Sequence, residues 1–213
     1  MSSRPRPLSR AASKDLTRRK LLDAARRVFL RQGFHATTVD MVALEAGFTK
    51  GAVYATFASK ADLFLALYAE RTEERAAAIA ATAGVDAEQA GLRAWADVLR
   101  HERAWLLVLL EFWIFTARDA TLRRRFAAIN ARLRTSLAES TERSARAEGR
   151  LLPPDPELLV LCQVALGNGI ALESFRDPTL AAGDVFERAS RALARGMQTL
   201  REESRGRRRE AAR

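Results

Sequence analysis

One cysteine and two histidines are all that this chain offers for sulfur or imidazole chemistry. Cys162 has no second cysteine to pair with, which excludes an internal disulfide and a cysteine-rich zinc site, and suits a reducing cytosol. His35 and His101 leave little material for a histidine metal site or a catalytic triad. The amino end lacks the apolar core of a signal peptide, and the longest apolar run, 104–110, is far too short to cross a bilayer. There is no glycine-rich phosphate loop, no HExxH and no Gly-x-Ser-x-Gly. Glu102 and Glu111 stand nine residues apart on one helical stretch and do not pair. The expectation is a cytoplasmic protein that is not an enzyme, with no cofactor, no metal and no membrane partner.

Positive charge is plentiful, and it is unevenly placed. Residues 1–62 hold twelve Lys/Arg against five Asp/Glu, a balance of +7. Residues 63–200 hold eighteen of each, and residues 201–213 hold six against three. A basic module on a neutral body is the electrostatic footprint of a nucleic-acid binder.

The basic module contains Thr37–Lys60, which reads as two short helices joined by a tight turn. Thr38 caps the first, whose Val39, Val42, Ala43 and Ala46 recur at helical spacing. Gly47 stops it, and Phe48 anchors the turn. Thr49 caps the second, which Ala52, Val53 and Phe57 hold to the core. Lys50, Gly51, Tyr54, Ala55 and Thr56 are left near a surface. A helix-turn-helix needs this arrangement, with one helix bracing and the next in the major groove. Tyr54 is either a core aromatic or a phosphate contact, and the neighbouring Phe57 favours the second reading. Lys50 suits a guanine edge, Thr56 a thymine methyl, and Gly51 a close backbone approach.

The series Gly33-Phe34, Thr38-Val39, Ala46-Gly47, Thr49-Lys50-Gly51, Val53-Tyr54, Phe57, Ser59-Lys60 and Leu63-Phe64 resembles the TetR family of bacterial transcriptional regulators. The resemblance runs from about Thr17 to Leu67. It implies DNA-backbone roles for Tyr54 and Lys60. With the capping threonines and the reader helix, the candidate DNA contacts are Thr38, Thr49, Lys50, Gly51, Ala52, Tyr54, Ala55, Thr56 and Lys60. The partner is double-stranded operator DNA.

The rest of the chain reads as helices, without strand or solenoid signals. A basic arm, 1–13, either follows DNA or stays solvated. Helices are expected from Ser13 or Asp15 to Gly33, from Lys60 to about Thr82, and over 86–100, 102–117, 119–148, 155–175 and about 184–200. The tail, 205–213, should fray. The fold expected is all-α. A three-helix head (14–59) is joined by a connector helix to a larger helical body (60–204), about nine helices in all, as the resemblance implies.

The body's three tryptophans fall within nineteen positions. Such aromatic clusters either fill a core or line an apolar cavity between helices. The family bodies usually hold a ligand pocket. Candidate lining residues are Trp95, Trp105, Leu109, Phe112, Trp113, Thr116, Asn130, Gln163 and Asn168, with a small hydrophobic or aromatic molecule as ligand. Gly167 and Gly169 weaken their helix unless close helix packing compensates. In TetR-like proteins the last two long helices form a homodimer, which points to Ala165, Leu166, Gly169, Phe175, Phe186, Ala189 and Leu193. Packing within one protomer explains each of them equally well. The functional expectation is a homodimeric repressor released from a palindromic operator by its ligand. The alternatives are a ligand-independent regulator and a ligand-sequestering helical protein with a vestigial head.

Overall fold

The computed structural model describes residues 10–211 apart from 82–91, 94, 95, 99, 150–154 and 183. Among the described residues the chain forms nine bounded helices and no strand. They are α1 (Arg10–Ala36), α2 (Val39–Ala46), α3 (Lys50–Tyr54), α4 (Lys60–Ala81), α5 (Arg103–Ala117), α6 (Ala120–Ala147), α7 (Pro156–Ser174), α8 (Thr179–Ala182) and α9 (Val185–Ala211). Short helical pieces also occur over 92–101, inside the helix expected there.

Two compact units emerge. The first runs up to Arg71 and includes Leu107–Arg124; the second takes Thr72–Leu106 and everything from Arg125 onward. Beyond the helix-turn-helix the first unit takes in the start of α4, most of α5 and the first turn of α6.

The reason is aromatic. Phe29, Phe34, Phe64 and Phe112 are all 0% exposed. Phe34 lies 5.0 Å from both Phe112 and Phe115 by ring centroids, and Phe64 lies 4.3 Å from Phe112. Such pairs contribute roughly 0.5–1.5 kcal/mol each beyond the area they bury. Leu21, Leu22, Ala25 and Val28 of α1, Val42 of α2, Val53 of α3 and Leu63 of α4 are buried in the same unit. Gly33 interrupts α1 at φ 77° and ψ 174°, a conformation open to glycine, and sends Phe34 back into this core.

In the second unit Leu92, Val98, Leu106, Ala171 and Phe186 form a core, with Leu166, Ile170 and Phe175 packed against it. Asp155 caps α7 by accepting the Leu158 N–H at 2.9 Å, and Pro156 occupies its first turn. Arg103 donates to the Ser174 carbonyl at 3.2 Å and lies over the Phe175 ring, closing the end of the same helix.

Two boundaries depart from expectation. α1 begins at Arg10, inside the segment read as a basic arm. α9 continues to Ala211, through the segment read as a frayed tail. That segment is rich in Arg, Glu and Ala, strong helix formers, and its one glycine costs only about 1 kcal/mol.

Candidate nucleic-acid interface

Local chemistry explains the helix-turn-helix. Thr38 Oγ1 accepts the Met41 N–H at 3.2 Å, and Thr49 Oγ1 accepts the Ala52 N–H at 3.2 Å. Gly47 ends α2 at φ 71°, while the Phe48 N–H reaches the Ala43 carbonyl at 2.9 Å and the Gly47 N–H the Leu44 carbonyl at 3.2 Å. This is a Schellman stop, which glycine adopts without strain. α3 follows at once, anchored by Val53 and by Phe57, both nearly fully buried.

The opposite side of this motif faces out. Thr38, Thr49, Lys50, Gly51, Tyr54 and Ala55 are exposed, and Ala52 and Thr56 half-buried. Tyr54 is 47% exposed, so its ring is not a core group. A Cβ on Gly51 would meet only Thr49 Oγ1, at 3.8 Å, so the backbone there is open to approach. Thr56 Oγ1 donates to the Ala52 carbonyl at 3.1 Å. Met41 and Leu44, 42% and 84% exposed, add apolar surface that the sequence reading left unassigned.

Lys50 donates to Asp40 Oδ2 at 2.9 Å, an interaction that raises its pKa above the usual lysine value. Both side chains are more than half exposed, so the pair is screened and easily exchanged for another partner. Behind the motif, Arg27 and Arg31 both bond Glu45 at 2.6 Å, tying α1 to α2. Those hydrogen bonds, Arg27's first, hold the Glu45 carboxyl below its ordinary pKa.

Lys60 is arranged differently. Its ammonium donates to the carbonyls of Phe34 at 2.7 Å, His35 at 3.0 Å and Thr37 at 2.8 Å, and lies 4.6 Å from the Phe34 ring centroid. An ammonium has three N–H donors, so these carbonyls occupy all of them. Burial lowers its pKa, against the opposing charge of Glu111. In this structure Lys60 caps the end of α1 rather than facing solvent beside Tyr54. The family resemblance that implies a DNA-backbone role for Lys60 carries no information on three converging carbonyls from a distant turn.

The residues read as pocket lining are distributed over both units. Trp95 lies outside the described residues. Phe112 is sealed in the aromatic core of the head unit. Trp105 and Leu109 are buried, and Trp113 half-buried. Thr116 is satisfied by the Trp113 carbonyl at 3.0 Å, and Asn130 donates to the Phe126 carbonyl at 2.9 Å. Gln163 and Asn168 are half-buried on α7. A groove of about 340 Å³ does open in the second unit, between Thr72, Glu73, Ala76, Ala77 and Ala80 of α4 and Ile129, Arg132, Leu133 and Ser136 of α6. None of the eight expected residues that are described lines it.

The expected dimer residues divide similarly. Phe186 is 2% exposed and belongs to the second unit's core, with Leu166 and Phe175 packed against that core. Ala165 and Gly169 are exposed, Ala189 and Leu193 half-buried. Leu158, Leu161 and Leu172, which the sequence reading passed over, are 45%, 46% and 51% exposed on the same helix as Ala165 and Gly169. That helix, α7, has the length and mean hydropathy (1.2) of a bilayer-crossing segment by composition, unlike the short run considered from sequence.

Residues 21–67 match the model for bacterial regulatory proteins of the tetR family. Residues 86–199 match that for the C-terminal part of BetI-type transcriptional repressors, more than half of the chain. This chain belongs to the TetR family. It is a transcriptional regulator with a DNA-binding helix-turn-helix, and not an enzyme. It is 30% identical to the HTH-type transcriptional repressor Rv1474c of Mycobacterium tuberculosis over 179 residues, 82% of this chain and 92% of the relative. The HTH-type transcriptional regulator SrpR of Pseudomonas putida is 43% identical over 61 residues, 29% of each chain. Among solved structures, Salmonella enterica GusR superposes with a TM-score of 0.67 at 22% identity, covering 89% of this TetR chain and 97% of that one. The fatty acid degradation regulator FadR from Bacillus halodurans gives 0.66 at 16%, covering 84% and 94%. At these identities the likeness speaks to the fold.

Proposed function

We propose that this TetR-family chain is a homodimeric cytoplasmic repressor that binds a palindromic operator and leaves it when a small hydrophobic ligand binds. The observation that carries the reading is the exposed face of α2 and α3, with Thr38, Thr49, Lys50, Gly51, Tyr54 and Ala55 turned outward from a fully packed core. Lys50, Thr49 and Tyr54 offer phosphate and base-edge donors, and Ala52, Ala55 and Thr56 keep the approach uncluttered. The repressor assignment is supported by the relative Rv1474c, named a repressor.

Self-association is supported by α7. Leu158, Leu161, Ala165, Gly169 and Leu172 recur at spacings of three or four, so they share one face of the helix. On α9, Ala192 and Gly196 are exposed too. Among the described residues nothing lies within 4 Å of a Cβ added to Gly169 or Gly196, so their packing does not account for either glycine. A second copy covering these faces would let helices approach closely and bury the leucines. It also explains a helix of membrane-like composition in a regulator. Two heads would then meet half-sites about 34–36 Å apart.

The groove between α4 and α6 is the candidate ligand site. Its alanines, Ile129 and Leu133 suit an apolar body, and Ser136 and Arg132 suit one or two polar groups. An inducer works only by binding the non-DNA-binding state more tightly. A second reading, the ligand-independent regulator, is favoured by one observation: none of the eight described residues expected to enclose a ligand lines this groove.

The test is a titration of the full chain with a duplex that it enriches from a random library. Salt-dependent binding of two chains per duplex is the expected result. A panel of apolar and aromatic compounds should include one that releases the duplex and shifts tryptophan emission over the same range. Binding without any such compound would leave the ligand-independent reading. An absence of enriched duplex would remove both.

A further inference from the structure

The turn between α1 and α2 is held by groups from two other helices. From α4, Lys60 collects the carbonyls of Phe34, His35 and Thr37. From α5, 76 residues along the chain, Glu111 Oε2 accepts the His35 backbone N–H at 2.9 Å. The same carboxylate lies flat against Gly33: a Cβ there would come within 2.6 Å of Oε1 and 3.0 Å of Oε2. Gly33 is thus required twice, once for its φ of 77° and once for the space that Glu111 occupies. Phe112, the next residue of α5, sits under Phe34 in the buried ring cluster, so the carboxylate is delivered by a backbone that cannot drift. Thr37 Oγ1 closes the turn by donating to the Gly33 carbonyl at 2.6 Å. Thr38, the cap of α2 and a candidate phosphate contact, is the next residue.

We propose that Glu111 is a positioning residue for DNA binding: it fixes the α1–α2 turn, and through it the start of α2, in the geometry that meets the duplex. It makes no DNA contact of its own. His35 N–H has this carboxylate as its described partner; the contact is exposed, so water can replace the acceptor but does not hold the turn in one geometry. Removing the acceptor therefore lets the turn seek another arrangement, and the face carrying Thr38 and Lys50 shifts with it. The proposal rests on the DNA-binding reading of the head.

Three full-length variants test it against the duplex enriched by the unaltered chain. Glu111→Leu keeps the bulk and removes the acceptor. Glu111→Asp keeps the charge and withdraws the oxygens by one methylene. Glu111→Gln keeps an acceptor oxygen without the charge. Leu and Asp should each weaken binding about tenfold. The salt slope should stay that of the unaltered chain, because no phosphate contact is lost. Hydrogen exchange at the His35 amide should rise in both. Gln should restore binding to within about threefold and keep that amide protected. Three results overturn the proposal. One is a folded Leu or Asp variant that binds at full strength. Another is a Gln variant as weak as Leu. The third is a His35 amide already unprotected in the unaltered chain, which decides the matter even if Leu fails to fold. If the unaltered chain enriches no duplex, DNA binding fails, and the His35 exchange measurement still reports on the Glu111 contact.

Discussion

The head unit closes its core on four phenylalanines with no exposed surface, whereas the second unit packs a core around Phe186 and leaves three leucines of α7 about half exposed. Both are all-helical, and both draw on long apolar stretches. They differ in where apolar surface stays open. In the head unit Met41 and Leu44 stand among the threonine, lysine, glycine, tyrosine and alanine of the α2–α3 face, and Leu107 and Ile114 of α5 are exposed as well. In the second unit a face of Leu158, Leu161, Ala165, Gly169 and Leu172 stays open. The mixed face of α2 and α3 is the one proposed to meet DNA, and the continuous apolar face of α7 is the one proposed to meet a second copy.

The sharpest way to break this contrast is to hollow the head. Phe112→Ala removes a ring that touches Phe34 and Phe64, and should cost about 3–5 kcal/mol in urea unfolding. Binding to the enriched duplex should fall with it, although residue 112 lies far in sequence from α2 and α3. A loss of less than about 1 kcal/mol would mean that α5 is not part of the head's core.

The next test asks the opposite of α7. Leu161→Glu alters a side chain that is 46% exposed, so the protomer should keep its helical signal and lose little stability, roughly 0.5 kcal/mol or less. Assembly should fail, because the carboxylate would lie unpaired in an apolar seam at a cost of several kcal/mol. Sedimentation should report a monomer. A folded variant that sediments as the unaltered chain does would move the interface elsewhere and leave the open face of α7 without an explanation.

These two outcomes bear on what the sequence made legible. The helix-turn-helix was readable because its determinants are local: Thr38 and Thr49 cap three residues ahead of themselves, and Gly47 stops a helix four residues behind. The helix order was readable from apolar spacing. Lys60 and Glu111 were not, because each acts on a turn 23 to 76 residues away, and pattern reading carries no such distance. Phe186 and Leu161 illustrate the same limit. Both are large apolar residues at helical spacing, and only the packing decides that one is core and the other open surface. The tryptophan cluster stays open to two readings on sequence because aromatic residues serve cores and cavities alike.

On the polar face itself the effects are smaller, and two substitutions separate its contacts. Lys50→Ala should weaken binding about tenfold and lower the magnitude of the salt slope by about one unit per half-site. Tyr54→Phe should weaken it roughly 2- to 10-fold with the slope unchanged, since a neutral hydroxyl releases no counterion. A Tyr54→Phe variant of full affinity would make the ring, and not its hydroxyl, the contact.

The smallest expected change has the opposite sign. Asp40 holds Lys50 in an exposed pair at 2.9 Å, and it stands in the first turn of α2, beside Thr38. Its carboxylate stabilises the helix end through the dipole, and it repels any phosphate that approaches the same turn. Binding must draw Lys50 from this carboxylate to the duplex. Asp40→Asn removes both the competitor and the repulsion while nearly keeping the shape. Affinity should therefore rise about two- to fivefold at low salt, and the gain should shrink as salt screens the charges. The melting temperature should fall slightly at the same time, because the helix end loses its charge. A variant more stable and more weakly bound would reverse both signs, and would mean that Asp40 points away from the duplex. The pairing with Lys50 would then be a fixed feature of the α2–α3 packing, and Lys50 would no longer be available as the lysine that reads a base.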